Sequence, residues 1–160
     1  MFPRPHRLLL PGALFIIAGL AYAVEPRFSD SGQGVVLDRD TGLAWQKCSA
    51  GQVPADGLCQ GDSRLVGWYE ARELCEGMTL DQRVWRLPDA RELFSIMDRS
   101  RTRPFLDLTF FSATYPFRYW AADYQIEEGG VMGEAVSYLD GHRFAEPRGR
   151  NFVRCVSSPQ

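Results

Sequence analysis

The chain has 160 residues, of which 45% are hydrophobic and 24% are charged, and its formal net charge is −2 at pH 7. This length fits one domain. The mildly acidic balance disfavours the extended basic surface of a nucleic-acid-binding protein.

The first 23 residues have the pattern of a signal peptide. Arg4 and Arg7 form a basic start, residues 8–20 are apolar, and residues 21–23 read Ala-Tyr-Ala, a small-residue cleavage site. The apolar stretch is short for a membrane span and is interrupted by proline and glycine. We therefore predict cleavage, and the alternative is an uncleaved anchor that would bring the protein to a membrane.

Cleavage leaves 137 residues that carry 16 lysines and arginines against 20 aspartates and glutamates, a net charge of −4. Residues 24–33 are polar, and we predict a loose segment there, followed by one domain over residues 34–160. We expect an exported protein, either periplasmic or extracellular, with no nucleic-acid partner.

The first half of this domain predicts a hairpin and a helix. Val35–Leu37 and Leu43–Gln46 alternate between apolar and polar residues and are separated by turn residues, which is typical of an antiparallel hairpin. Between Val66 and Met78, apolar residues recur at helical spacing.

A second helix is predicted from residue 89 onwards. Pro88 ends the preceding segment, Asp89 is a good N-cap residue, and Glu92 completes a capping-box pattern. Arg86 lies between Trp85 and a leucine, so we expect it to form a structural ion pair with a carboxylate such as Glu92.

The remainder predicts strands over Arg118–Tyr124, from Val136 to Leu139, and over Phe152–Val156. No internal repeat or low-complexity tract is present, so one compact α+β domain is expected. A domain of this size needs large aromatic residues in its core, and we expect Trp45, Trp85 and Trp120 there.

Four cysteines follow the signal segment. In an exported chain an even number indicates two disulfides, and four cysteines allow three pairings. We favour Cys48 with Cys59, which closes a loop containing glycine and proline, and Cys75 with Cys155, which ties a helix to the last strand. A zinc site is the alternative, but no C-x2-C pair is present.

Four motifs, taken in order, resemble the Lcl C-terminal domain family, which ends a collagen-like bacterial adhesin and occurs alone in exported proteins. The motifs are Asp40–Gln46, Trp85–Pro88 with Glu92-Leu93, Tyr119-Trp120 and Phe152–Val156. The Arg-Leu-Pro-x-x-x-Glu element is also similar to that of formylglycine-generating and C-type-lectin-like domains. The resemblance implies a C-type-lectin-like fold, with two helices flanking a small, mostly antiparallel sheet. In that fold a cysteine on the first helix pairs with one on the last strand, which matches Cys75 and Cys155.

The resemblance also implies polyanion binding, because the adhesin's domain binds sulfated polysaccharides. The candidate ligands are Arg143, Arg148, Arg150 and Arg154, whose guanidinium groups match sulfate and carboxylate oxygens. Trp68 is a candidate for stacking on a sugar ring. The chain has a single lysine, so the alternative is that arginine enrichment reflects composition and a solvated face.

Catalytic and metal chemistry find little support in the sequence. After cleavage the one histidine is His142, and no partnered nucleophile accompanies it. Glu146-Pro147-Arg148 has an arginine where the calcium loop of a lectin needs an amide oxygen, so we predict no metal and no other cofactor.

We therefore predict a non-enzymatic binding or adhesion module for an anionic glycan at the cell envelope or outside. Two alternatives remain open. One is a structural or accessory subunit that binds an envelope protein in a surface assembly, and the other is an unrecognised enzyme.

Overall fold

The computed structural model describes residues 25–146 and 148–159. The predicted signal peptide, residues 1–23, lies outside these ranges, so its cleavage stays a prediction. No helix in the described part of the chain is long and apolar enough to cross a membrane.

The described residues form nine strands, of two to ten residues, and two α-helices. The strands are β1 Phe28–Asp30, β2 Val35–Asp38, β3 Ala44–Gln46, β4 Val53–Ala55, β5 Leu58–Gln60, β6 Arg118–Glu127, β7 Gly130–Ser137, β8 Arg143–Glu146 and β9 Val156–Ser157. The helices are α1 Trp68–Glu76 and α2 Ala90–Ser95, and a 3-10 turn spans Leu80–Gln82.

The strands are arranged in three small antiparallel sheets. Their orders are β1-β2-β3-β9, β4-β5 and β6-β7-β8. The prediction of an α+β domain with small antiparallel sheets is confirmed. The C-type-lectin-like assignment and the flanking of one sheet by two helices stay predictions.

Residues 28–30 lie in the segment predicted to be loose, but they form β1. Phe28 faces Asp38 of β2 in the register, and its ring packs edge-on against Phe111, with 5.4 Å between the ring centroids. Three residues are too few to show the alternation of apolar and polar residues that predicts a strand. Pairing with β2 and packing against Phe111 therefore determine the structure of this segment.

The two predicted helices are present and shorter than their sequence patterns. Helix α2 begins with a complete capping box, in which the Glu92 N–H donates to Asp89 Oδ1 and the Asp89 N–H donates to Glu92 Oε2, each at 2.8 Å. The expected ion pair forms as well. Arg86 holds both carboxylate oxygens of Glu92, at 2.6 and 2.7 Å.

Both predicted disulfides are confirmed. Cys48 bonds to Cys59 and Cys75 bonds to Cys155, with 5.4 Å between the Cα atoms in each pair. No cysteine is left free, so the zinc alternative is wrong.

The core consists of two apolar clusters. Trp45 lies in the first, together with Leu93 and Tyr119, and Trp85 and Trp120 lie in the second. The three tryptophans expected in the core are thus all buried. The second cluster also contains the Cys75–Cys155 bridge and the buried face of α1, so it fixes the position of that helix against the sheet.

Candidate functional site

Two neighbouring depressions lie on one side of the β6-β7-β8 sheet, and they share Arg150. We call the first the arginine cleft. It has a volume of about 360 Å³, and its lining includes Trp68, Tyr69, Gly133, Glu146, Arg148 and Arg150. We call the second the apolar groove. It has a volume of about 520 Å³, and its lining includes Leu65, Phe117, Arg118, Leu139, Arg150 and Phe152.

Three of the residues predicted from the sequence meet in the arginine cleft: Trp68, Arg148 and Arg150. Arg148 is exposed and has no ion pair or side-chain hydrogen bond within the described residues. Arg150 donates from Nε and Nη2 to the carbonyl oxygen of Leu65, at 3.1 and 2.7 Å. Its guanidinium is therefore held in place by the backbone, and no carboxylate of the described residues neutralises it.

The prediction that Arg154 binds an anionic ligand is wrong, because its side chain is fully buried and cannot reach a ligand. Its Nη1 donates to the carbonyl oxygens of Gln46 and Lys47, at 3.2 and 2.6 Å. Its Nη2 donates to the hydroxyl oxygens of Ser49 and Thr114, at 3.3 and 2.7 Å. Arg154 thus ties the last strand region to the loop that carries the Cys48–Cys59 disulfide. Val153 and Cys155, the apolar residues on either side of Arg154, are the sequence feature that could have predicted its burial.

Arg143 also lies outside the two depressions. On β8 it forms an ion pair with Glu134, which is buried, and it lies 3.6 Å from an Asp123 carboxylate oxygen. Burial raises the pKa of Glu134, but hydrogen bonds from Arg143 and Gln125 outweigh this effect and hold that pKa below its usual value. The positive charge of Arg143 is therefore already balanced within the protein.

Trp68 forms the floor of the arginine cleft and is only 8% exposed. Its Nε1 donates to the carbonyl oxygen of Ala121 at 2.8 Å. Its ring contacts the rings of Tyr69 and Tyr124, with centroids 5.1 and 5.4 Å away. The two tyrosines are exposed, so they present ring surface to solvent and Trp68 supports them. Sequence reasoning did not select either tyrosine.

Gly133 allows Trp68 to take this position. A Cβ atom on Gly133 would lie 2.3 Å from Cδ1 of Trp68, far inside van der Waals contact. Gly133 faces Tyr124 in the β6–β7 register, and that register shifts between Trp120 and Tyr124. Bulges of this kind change the direction in which a side chain points. Here the bulge is followed by the tyrosine that packs on Trp68.

The same bulge anchors β6 to the start of α2. The Ala122 N–H donates to the carbonyl oxygen of Pro88, and an Asp123 carboxylate oxygen accepts from the Ala90 N–H, each at 2.7 Å. Strand β6 thus bonds to the start of α2, next to the Trp85–Asp89 stretch, and also contributes to the lining of the arginine cleft.

Glu146 lines the arginine cleft, and the two side chains that bond to its carboxylate line the apolar groove. It forms an ion pair with Arg118, and Asn151 Nδ2 donates to its Oε2 at 3.3 Å. The chain passes close to this carboxylate at Gly149, where a Cβ atom would displace the end of the Glu146 side chain. The other carboxylate of the cleft, Glu70, is paired with Arg64 at 3.0 Å.

The described residues contain no group of three or more histidine, cysteine, aspartate or glutamate side chains placed to hold a metal ion. His142 is exposed, with its Nδ1 4.0 Å from Asp140. The chemistry that the cleft offers is hydrogen bonding from guanidinium groups beside aromatic rings.

The family model described as the Lcl C-terminal domain matches residues 34–157, a range that includes both depressions and both disulfides. No curated protein and no solved structure matches significantly. Because the match covers well over half of its residues, the chain belongs to the Lcl C-terminal domain family.

Proposed function

We propose that the protein is an exported binding module and that its arginine cleft binds an anionic glycan carrying sulfate or uronic acid groups at the cell envelope or outside. The observation that carries this proposal is an imbalance of charge in the cleft. Both carboxylates that line it, Glu70 and Glu146, are already paired, whereas Arg148 and Arg150 have no carboxylate partner within the described residues.

The two kinds of side chain in the cleft suit the two faces of such a ligand. A guanidinium group donates two parallel hydrogen bonds to a carboxylate or sulfate. The exposed ring of Tyr69, which leans on Trp68, can cover the apolar face of a pyranose. Two disulfides support export, because such bonds persist in oxidising compartments.

A single copy of this cleft is expected to bind weakly. The arginines are exposed, so salt screens their attraction for an anion over about 8 Å at physiological ionic strength. High apparent affinity for a polysaccharide would require several copies acting together.

The test is binding of residues 24–160 to sulfated, uronic-acid and neutral oligosaccharides of equal length, at low and physiological salt. We expect binding to the charged ligands that weakens with salt and is lost in Arg148→Ala/Arg150→Ala. The matched control is Arg91→Ala/Arg103→Ala, which removes two exposed arginines away from the cleft.

Equal binding by the two double variants would place the ligand elsewhere and contradict the proposal. Failure to bind any of the oligosaccharides would favour the alternative of an accessory subunit with a protein partner.

A further inference from the structure

We infer that the apolar groove holds an alkyl or acyl chain attached to the sugar in the arginine cleft, so that the ligand is an anionic glycolipid and not a free saccharide. This inference rests on the proposed function, since it takes the cleft as the site of the headgroup.

The groove presents a continuous apolar surface. Leu65 and Phe117 are 46% and 56% exposed, and Leu139 and Phe152 line the groove beside them. The Tyr115 ring stacks on Phe152, with centroids 5.1 Å apart and planes 12° apart. Exposed apolar patches with polar rims mark interaction sites, and a volume near 520 Å³ suits a small-molecule ligand.

Polar side chains around the groove already form hydrogen bonds or ion pairs within the protein. This favours a hydrocarbon chain over a sugar as the occupant of the groove. Arg118 and Asn151 both bond to Glu146. Asp140 Oδ1 accepts from the His142 N–H at 3.1 Å, and the Ser137 hydroxyl oxygen accepts from the Leu139 N–H at 3.3 Å.

A sugar loses hydrogen bonds to water when it is buried and needs replacements from the protein. A hydrocarbon chain needs none, and its transfer out of water is favourable. The groove therefore fits the chain better than a second sugar ring.

Arg150 connects the two parts of the ligand. It lines both depressions, and the carbonyl that fixes its guanidinium belongs to Leu65, a residue of the groove. An anionic group held by Arg150 therefore lies at the boundary with the groove. A chain leaving that headgroup reaches the exposed apolar side chain of Leu65 first.

The probes are methyl β-D-glucuronide, octyl β-D-glucuronide and octyl β-D-glucoside, titrated by calorimetry below their micelle concentrations. Each methylene removed from water is worth about fourfold in affinity. Partial burial of the octyl chain should make octyl glucuronide bind at least about tenfold more tightly than methyl glucuronide. Octyl glucoside should bind more weakly than octyl glucuronide, because it lacks the carboxylate.

Phe117→Ser changes an exposed side chain of the groove and Leu139→Ser a half-buried one, and both variants should fold. Each should remove most of the octyl advantage and leave methyl glucuronide binding unchanged. Ile126→Ser, at a residue that is 76% exposed and outside both depressions, is the matched control and should keep the advantage.

Equal affinity for the octyl and methyl glucuronides would overturn this inference and leave the proposed function standing. An octyl advantage that survives both groove substitutions would also overturn it, because the chain would then bind elsewhere. Binding of octyl glucoside as tight as that of octyl glucuronide would show a hydrocarbon site without an anionic headgroup, such as a surface for apolar side chains of a protein. That outcome would contradict the proposed function as well.

Discussion

The guanidinium carbon of Arg154 lies 4.8 Å from the centroid of the Phe111 ring, inside the core, and no carboxylate within the described residues pairs with it. Its charge is stabilised by two backbone carbonyls, two hydroxyl groups and the faces of aromatic rings. Such an arrangement satisfies most of the donors of the guanidinium without a buried ion pair.

Arg154→Met should therefore destabilise the protein, although methionine is apolar and of similar length. The substitution removes the Arg154 donor from two backbone carbonyls and from the Thr114 hydroxyl oxygen, and the expected cost is about 3 kcal/mol. Urea unfolding measures it, with Arg91→Met as the exposed control. Unchanged stability of Arg154→Met would show that the guanidinium does not hold the core together.

The placement of the arginines shows what sequence reasoning can and cannot reach in this chain. The ion pair of Arg86 with Glu92 was predictable, because both residues belong to one local motif at the start of a helix. The burial of Arg154 was not, because its partners lie up to 108 positions away along the chain. The four candidate arginines are close together in the sequence but lie in different environments in the folded chain. Of these four, only Arg148 and Arg150 line the arginine cleft.

Loss of the Cys75–Cys155 disulfide should cost more stability than loss of the Cys48–Cys59 disulfide. The first bridge spans 80 positions and the second spans 11, and the entropy lost by the unfolded chain grows with the loop that is closed. The chain-entropy estimate gives about 4 to 5 kcal/mol for the long bridge and about 3 kcal/mol for the short one. Thermal unfolding of Cys75→Ser and Cys48→Ser measures the order, and equal melting temperatures would contradict it.

Gly133→Ala should disturb Trp68 and the arginine cleft. Its Cβ atom would lie 2.3 Å from Cδ1 and 2.4 Å from Cγ of the indole, so the ring or the strand must move. Overpacking of this kind costs about 1 to 3 kcal/mol. We expect a lower melting temperature, a changed near-ultraviolet circular dichroism spectrum and weaker glycan binding. Gly129→Ala is the control, because nothing lies within 4 Å of a Cβ atom placed there. Identical behaviour of the two variants would contradict the packing of Trp68 on β7.

The charge of Glu92 should stabilise the fold at neutral pH and cease to do so in acid. Burial raises the pKa of Glu92, but hydrogen bonds from Arg86 and from the Asp89 N–H outweigh it and hold that pKa below the usual value of 4.5. A carboxylate whose pKa is lower in the folded state contributes stability above its unfolded pKa. That contribution disappears as the pH falls through the folded pKa.

Glu92→Gln isolates this charge, because glutamine at the same position can still complete a capping box. The free energy of unfolding of the variant should be lower than that of the wild type at neutral pH. The difference should shrink as the pH falls below about 4.5. Urea unfolding across this range measures it, with Glu73→Gln as the exposed control. A difference that does not change with pH would show that the loss comes from packing and not from the charge.

Arg143 should matter for stability and not for glycan binding. Its guanidinium is balanced by Glu134 and Asp123, and it does not line the arginine cleft. Arg143→Met leaves the buried carboxylate of Glu134 without its main partner, and the expected cost is about 2 to 3 kcal/mol. Adding Glu134→Gln removes the stranded charge and should restore a large part of this loss, which a double-mutant cycle by urea unfolding measures.

Binding of sulfated oligosaccharides at a temperature where Arg143→Met is folded should equal that of the wild type. A loss of binding comparable to that of Arg148→Ala/Arg150→Ala would instead show that the ligand extends along β8, so that the sheet face and not the cleft would be the site.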